Sequence, residues 1–563
     1  MGKIISVGNQ SFESIREMGA FYIDKTNFIK EWWENGDIVT LVTRPRRFGK
    51  TLNLSMMESF FSNQYAGRGD LFEGLSIWND KKYHNLQGSF PVLFISFAGI
   101  KADNYEMARE GIVNIIIDLY VKYSFLLQGG LLDSQEKEYF SFINHEMTDA
   151  AIALSLNRLA LCMNHYYGKK VIILLDEYDT PLQEAYVYGY WDKMVLLVRT
   201  LFNYTFKTNP YLERGLMTGI TRVSKESIFS DLNNLVVITT TSGQYAACFG
   251  FTEKEVFGAL EEQGLGSWKD SVKKWYDGFI FGDEADIYNP WSVTSFLKEK
   301  KLKTYWANTS SNSLAGQLVR EGTPEIKTAF EDLLAGGQVT VEIDEEIVFN
   351  QLDEGDTAVW SLLLASGYLK VDKKPEDEEN DLYQVSFTNY EVMRMFRKII
   401  KGWFCQQNTR YNDFVKALLM DDVDYMNQFM NQIALRTFSS FDTGRNVSVQ
   451  EPERFYHGFV LGLIVSLAGK YHITSNRESG FGRYDIMLEP VDGELPAVIM
   501  EFKVFNRRKE KNLEETVENA LLQIKDRKYD TELEEKGILK ERIRHYGFAF
   551  EGKKVLIGKE FSY

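Results

Sequence analysis

Leu41-Val42-Thr43-Arg44-Pro45-Arg46-Arg47-Phe48-Gly49-Lys50-Thr51 is the stretch from which the rest of the chain is read. It follows Ile38 to Val42, an apolar run with the composition of a buried strand. It precedes Leu52 to Phe61, where apolar residues recur at helical spacing. A strand, a loop ending in Gly-Lys-Thr and a helix form the setting of a phosphate-binding P-loop. There the helix N-terminus turns its N–H groups on an anion, Lys50 reaches the β- and γ-phosphates, and the Thr51 hydroxyl holds Mg²⁺. Arg47, Phe48 and Gly49 complete the expected nucleotide-binding stretch. One position departs from G-x-x-x-x-G-K-[ST]: Arg44 stands where the first Gly is expected. The loop must therefore turn differently, with Pro45 helping to fix it.

A second signal lies at Val171-Ile172-Ile173-Leu174-Leu175-Asp176-Glu177-Tyr178-Asp179, an apolar strand that ends in acids. Such a strand delivers Asp176 to the carboxyl edge of a sheet, where ligands bind in open α/β folds. Asp176 is expected to hold Mg²⁺, directly or through water, and Glu177 to orient or deprotonate the attacking water. Gly215 to Arg222 reads as a further strand, with Arg222 at its tip to sense the γ-phosphate. Thr218 or Thr221 could do so by hydrogen bonding. Pro91 to Phe97 and Leu235 to Thr239 read as two more strands, and residues 102–167 as mostly helical. Strands alternating with helices imply a parallel, doubly wound sheet. A lone Gly-Lys-Thr or a lone acidic strand end recurs by chance; the two together point to nucleotide binding.

At 563 residues the chain is too long for one core, and about three or four domains are expected. A net charge of -16 argues against a protein that coats nucleic acid non-specifically, and leaves room for a local basic groove. Cys162, Cys248 and Cys405 stand in no metal or redox spacing, which fits a reducing, cytoplasmic setting. No apolar stretch of signal-peptide type follows Met1, and the match of Met1 to Ser6 to a myristoylation pattern is loose. The longest apolar runs, around residues 111–117 and 459–465, fall well short of the ~20 residues a membrane span requires. None of the six histidines pairs at metal spacing.

Five stretches together resemble the bacterial AAA-ATPase-like family: Phe21-Tyr22-Ile23-Asp24-Lys25-Thr26, the P-loop, Leu175 to Asp179, Lys274-Trp275-Tyr276-Asp277-Gly278-Phe279-Ile280-Phe281-Gly282, and Tyr288 to Val293. The resemblance covers about the first 300 residues. It implies a P-loop NTPase close to AAA and STAND ATPases, with ATP and Mg²⁺ as cofactors. Arg44 is then the family's own version of the loop, and a PD-(D/E)XK nuclease-like domain commonly follows at the C-terminus.

The C-terminal pattern meets that expectation. A helix over Glu453 to Leu467, strands over 471–474, 483–488 and 497–504, a helix over Leu513 to Tyr529 and a strand over 545–550 give the order α-β-β-β-α-β of the PD-(D/E)XK core. Asp485 and Glu501-Phe502-Lys503 sit where that family places its motif. Residues two apart on a strand share a face, so Glu501 and Lys503 point one way while Phe502 enters the core. Asp485 and Glu501 are the expected Mg²⁺ ligands. Lys503 is expected to position water or offset negative charge. Gln523 to Tyr529 resembles the helical Gln motif of RecB-like members, and Glu453 or Glu478 is a further acid. Arg483, Lys525 and the run Arg507-Arg508-Lys509 are candidates to hold a nucleic-acid backbone.

The expected organisation is an AAA-like ATPase domain over 1–245, a helical lid over 246–335, a winged-helix-like module over 336–405, a helical connector over 406–450 and a restriction-endonuclease-like αβββαβ domain over 451–563. The acidic stretch at 372–381 would repel phosphates, so the middle module reads as internal coupling. Two function classes follow. One is an ATP-regulated nuclease. The other is a nucleotide-dependent switch whose C-terminal domain binds nucleic acid or a partner without cutting. Nucleic acid is the expected partner, a homo-oligomer is possible, and no membrane is involved.

Overall fold

The computed structural model describes residues 3–306 apart from 129, 222–227 and 230–231, then 315–316, 318–319, 323–334, 336–344, 355–373, 382–405, 411–437, 460–461, 463–464, 467, 469–475, 478–479, 482–483, 485–491, 495–551 and 554–559. It divides into two compact units: residues 1–322 with 332–395, and residues 323–331 with 396–563.

The first unit is built on five strands: β1 (Val39–Thr43), β2 (Val92–Ser96), β3 (Val171–Asp176), β4 (Leu212–Gly219) and β5 (Leu235–Ile238). All run parallel, in the order β2-β3-β4-β1-β5. Every residue of β1 and β3 is buried, as central parallel strands covered on both faces require. Alternate residues feed two cores. Val39, Leu41, Val171, Ile173 and Leu175 enter one, with helices Tyr105–Lys122 and Asp149–Tyr167. Val42, Ile172, Leu174 and Ile238 enter the other, with helices Asn27–Asn35 and Lys50–Phe61. The order sets β4 between β1 and β3, which brings the loop after β1 and the acids after β3 to one edge.

Residues 21–26 form no strand. The Asp24 carboxylate instead accepts from the Thr26 N–H at 2.9 Å and the Ser76 N–H at 2.7 Å, a local turn that competes with extended pairing.

A small antiparallel sheet follows, made of β6 (Phe251–Thr252), β7 (Phe279–Phe281) and β8 (Glu284–Tyr288), with helices Glu253–Glu262, Lys269–Tyr276 and Pro290–Glu299. Its core gathers Val256, Leu260, Val272, Tyr276, Tyr288 and Phe296, so the aromatic stretch from Trp275 to Trp291 is largely packing. Then helix Asp356–Ala365 stands with three antiparallel strands, β9 (Val339–Glu342), β10 (Leu369–Lys373) and β11 (Leu382–Phe387). β10 and β11 pair directly, most of their acidic connection lies outside the described residues, and β9 adds a third strand.

The second unit holds helices Tyr411–Met420 and Val423–Thr437 and a mixed sheet. Its strands are β12 (Tyr471–Ser475), β15 (Ile486–Pro490), β16 (Ala497–Val504), β17 (Ile543–Glu551) and β18 (Lys554–Lys559), in that order across the sheet. A short hairpin, β13 (Glu478–Ser479) and β14 (Gly482–Arg483), precedes β15. Only β16 and β17 are parallel. Val498, Met500, Phe502, Tyr546, Phe548 and Phe550 pack on one face; Met487, Ile499, Ile524 and Tyr529 pack on the other, beneath helix Leu513–Asp526. Residues 453–459, 462 and 465–466 of the expected first helix lie outside the described residues, and β18 was not foreseen. Among the described residues no helix is long and apolar enough to cross a membrane.

Candidate active sites of the two units

The loop between β1 and helix Lys50–Phe61 turns at Arg47, with φ of 66°, and at Gly49, with φ of 80°, which caps that helix. Arg44 does not need the conformational freedom of the glycine it replaces. Its buried guanidinium is a strut, donating to Thr43 O at 2.9 Å and Thr239 O at 2.6 Å and lying 4.4 Å from the Phe281 ring centre. Pro45 packs closely on Gly367, where an added Cβ would meet its Cγ at 2.7 Å.

Lys50 is buried, and its ammonium donates to Arg44 O at 2.8 Å and Pro45 O at 2.9 Å. Burial lowers its pKa, while Glu177, Asp179 and Asp176 oppose the shift. The Thr51 hydroxyl donates to Asp176 Oδ2 at 2.6 Å, and the Thr218 hydroxyl to Oδ1 at 2.6 Å. Burial raises the Asp176 pKa and these two hydroxyls pull it down. Thr221, the other hydroxyl considered beside the phosphates, is engaged with Asp179 at 3.3 Å. Glu177 follows β3 in left-handed backbone, with φ of 51°, and its carboxylate accepts from Thr180 Oγ1 at 3.1 Å.

Lys50, Thr51, Gly49 and Glu177 border a cleft of about 550 Å³. Arg46 and Arg47 line it too. Arg46 donates to Gln183 at 3.0 Å, and the Arg47 guanidinium lies 4.5 Å from the Trp291 ring centre. Phe48 reaches the same cleft, but its ring is buried against Phe279 and Phe281. Arg222 lies outside the described residues. A cleft with an ammonium, two guanidinium groups, and a hydroxyl beside a carboxylate fits a nucleotide triphosphate with Mg²⁺. Trp291 and Gln183 were not read as site residues: nothing in their spacing marks them, and only the fold brings them there.

In the second unit the predicted residues also gather. Asp485 was expected inside a strand but stands just ahead of β15. Its side chain replaces a ladder bond, Oδ2 accepting the Phe502 N–H at 2.7 Å. Glu501 is buried on β16, opposite Gly547 on β17. A Cβ on Gly547 would meet Val517 O at 2.8 Å, so this glycine lets helix Leu513–Asp526 lie close to the sheet. That approach brings Gln523 between the two strand residues. Its Nε2 donates to Glu501 Oε1, and its Oε1 accepts from Lys503 Nζ at 2.6 Å. Tyr529 OH lies 3.2 Å from Gln523 Nε2; burial raises the Tyr529 pKa, and Glu501 and Asp485 add to the rise. Two carboxylates set beside an ammonium are a donor set that suits Mg²⁺ and a phosphodiester. Glu453 and the side chains of Glu478 and Arg483 lie outside the described residues.

Comparison with known proteins agrees with both halves. The family described as a predicted AAA-ATPase matches residues 6–229, and the PD-(D/E)XK nuclease superfamily matches residues 451–560. An Azotobacter chroococcum protein, described as an uncharacterized protein in the vnfD 5' region, is 27% identical over 400 residues, covering 69% of this chain and 68% of its own length.

Proposed function

We propose that this chain, an AAA-ATPase-like domain joined to a domain of the PD-(D/E)XK nuclease superfamily, binds and hydrolyses ATP and thereby regulates a Mg²⁺-dependent nuclease acting on nucleic acid. The observation that carries the first half is the hydrogen-bonded row Thr51–Asp176–Thr218 beside buried Lys50 at one sheet edge. A bound triphosphate gives the Lys50 ammonium phosphate oxygens in place of its loop carbonyls. Arg46 and Arg47 add positive charge around it, and Glu177 is the base or orienting group for the attacking water. Thr51 and Asp176 are the residues that would hold Mg²⁺, which would supply charge neutralisation on the phosphates.

In the nuclease half, Gln523 holds Glu501 and Lys503 in register, and the Lys503 ammonium offsets charge developing on the phosphodiester. Asp485 and Glu501 are the residues that would hold Mg²⁺, whose charge polarises the scissile phosphate. Regulation is proposed because one chain carries both units. The net charge of -16 favours a second reading, a switch that holds nucleic acid or a partner without cutting.

One experiment separates these readings. Purified protein is incubated with single- and double-stranded DNA and RNA, with Mg²⁺ or Mn²⁺, with and without ATP. Cleavage that changes with ATP and is lost in Asp485→Ala and Glu501→Ala supports the first. Binding without cleavage on every substrate supports the second.

A further inference from the structure

Tyr178 and Asp179 follow the two acids of the first site, and the ATPase reading uses neither. Asp179 is only 1% exposed. Its Oδ2 accepts the Ile220 N–H at 2.8 Å, the Thr221 N–H at 3.1 Å and the Thr221 hydroxyl at 3.3 Å, all from the two residues just past β4. The same oxygen accepts Gln183 Nε2 at 3.3 Å, and Gln183 Oε1 in turn accepts from Arg46 of the phosphate loop at 3.0 Å. Tyr178 clamps the same strand end: its N–H donates to Thr218 O at 3.0 Å and its hydroxyl to Thr221 O at 2.8 Å. The last residue of β4 is shaped to admit them. A Cβ on Gly219 would lie 2.5 Å from the Tyr178 ring and 2.9 Å from Asp179 Oδ1.

Between this clamp and Asp176 stands Glu177, whose left-handed backbone costs a non-glycine residue about 1–2 kcal/mol. Such backbone persists only where the surroundings over-determine it. Four donors converge on Oδ2, while Oδ1 is buried without a hydrogen-bond partner among the described residues and burial raises the Asp179 pKa, so this carboxyl group is held in place at a cost that the strand-end contacts offset only in part.

We propose that Asp179 is a positioning residue for ATP hydrolysis, a role that rests on the ATPase reading above. One buried carboxylate holds the Glu177 turn, the tip of β4 and, through Gln183, Arg46 in a single geometry. ATP affinity comes chiefly from Lys50, Thr51 and the loop N–H groups; Asp179 hydrogen-bonds to none of them, and its charge acts on Lys50 only alongside those of Glu177 and Asp176. The aim of Glu177 is what the clamp sets, so loosening it lowers turnover far more than binding.

The test uses the full chain with ATP and Mg²⁺. Asp179→Asn is expected to lower kcat about 30- to 100-fold while the Kd for ATP stays within about threefold. Gly219→Ala, which pushes a methyl group into the Tyr178 ring and the carboxylate, should reproduce that split with Asp179 intact. Gln183→Ala removes the link to Arg46 and one of the four donors to Asp179, leaving the strand-end contacts intact, and should cost about 3- to 10-fold in kcat. If Asp179→Asn does not fold by circular dichroism, the other two variants carry the test. Wild-type kcat in the folded variants, or a loss confined to ATP affinity, overturns the positioning role alone. A wild-type protein that binds ATP with Lys50-dependent affinity but never hydrolyses it overturns the hydrolysis reading and this role with it.

Discussion

Lys50 is the residue whose surroundings say most about ligand binding. Its ammonium is buried on two carbonyls of its own loop, with Glu177, Asp179 and Asp176 near enough to support its charge. Lys50→Ala is therefore expected to weaken ATP binding by about 100-fold or more, since charge-assisted hydrogen bonds of this kind contribute about 1.5–3 kcal/mol each. Titration with a fluorescent ATP analogue measures it, and unchanged affinity removes the nucleotide assignment. Glu177→Gln keeps the shape but not the base, so binding should survive while turnover falls about 10²- to 10⁴-fold. Gln523 is the corresponding hinge of the second site, because a single amide serves Glu501 and Lys503. Gln523→Ala should lower cleavage about 10- to 100-fold without abolishing nucleic-acid binding, as losses of residues that orient a metal ligand do. Equal losses in cleavage and binding would argue that Gln523 contacts substrate instead.

At the scale of elements, the long apolar runs were readable and the special geometry was not. β1 and β3 are buried on both faces, so their composition alone marked them, and the acids and Gly-Lys-Thr at their ends placed the first site. β9 and β18 are short or mixed in character and carried no such mark. Sequence shows that Arg44 departs from the glycine of the usual loop, but not the carbonyls and the Phe281 ring that receive its guanidinium. The Asp277-Gly278 pair shows the same limit. Its motif was visible, but not its reason: Gly278 has φ of 119°, and a Cβ there would stand 1.9 Å from Thr388 O. Gly278→Ala should cost about 3 kcal/mol or more in stability, read by chemical denaturation. Asp277 sits beside Asp286 with the Lys273 ammonium among them. Burial, reinforced by Asp286, pushes the Asp277 pKa up to about 7 from 3.8. The folded protein then keeps a proton that the unfolded chain has released, so this contribution is fully present below the unfolded value and lost as pH rises toward 7. Asp277→Asn should lose that dependence, its Tm relative to wild type being higher at pH 8 than at pH 5 by roughly 2–4 °C. A constant Tm difference across that range would show that Asp277 does not titrate there.

For the whole molecule, the charge of -16 sets the terms on which nucleic acid can be held. A polyanion is repelled by the chain as a whole, so binding must run through a local basic surface. Arg507, Arg508 and Lys509 are exposed directly beyond the end of β16, the strand that carries Glu501 and Lys503, and Arg507 is already paired with Glu551 at 2.8 Å. Arg508 and Lys509 are thus the better candidates for phosphate contacts. Each phosphate contact releases condensed counterions, and the slope of log K against log salt falls by about 0.9 per contact on duplex DNA. Arg508→Glu combined with Lys509→Glu should weaken binding of a labelled duplex and make that slope shallower by about 2, measured by fluorescence anisotropy across a salt series. ATP hydrolysis should stay within about twofold of wild type in the same variant, because residues of different compact units with no shared partners behave additively. An unchanged slope places the contacts elsewhere. A parallel fall in ATP turnover in the absence of nucleic acid would instead mean that the two units are energetically coupled at rest, and that the switch works without its substrate.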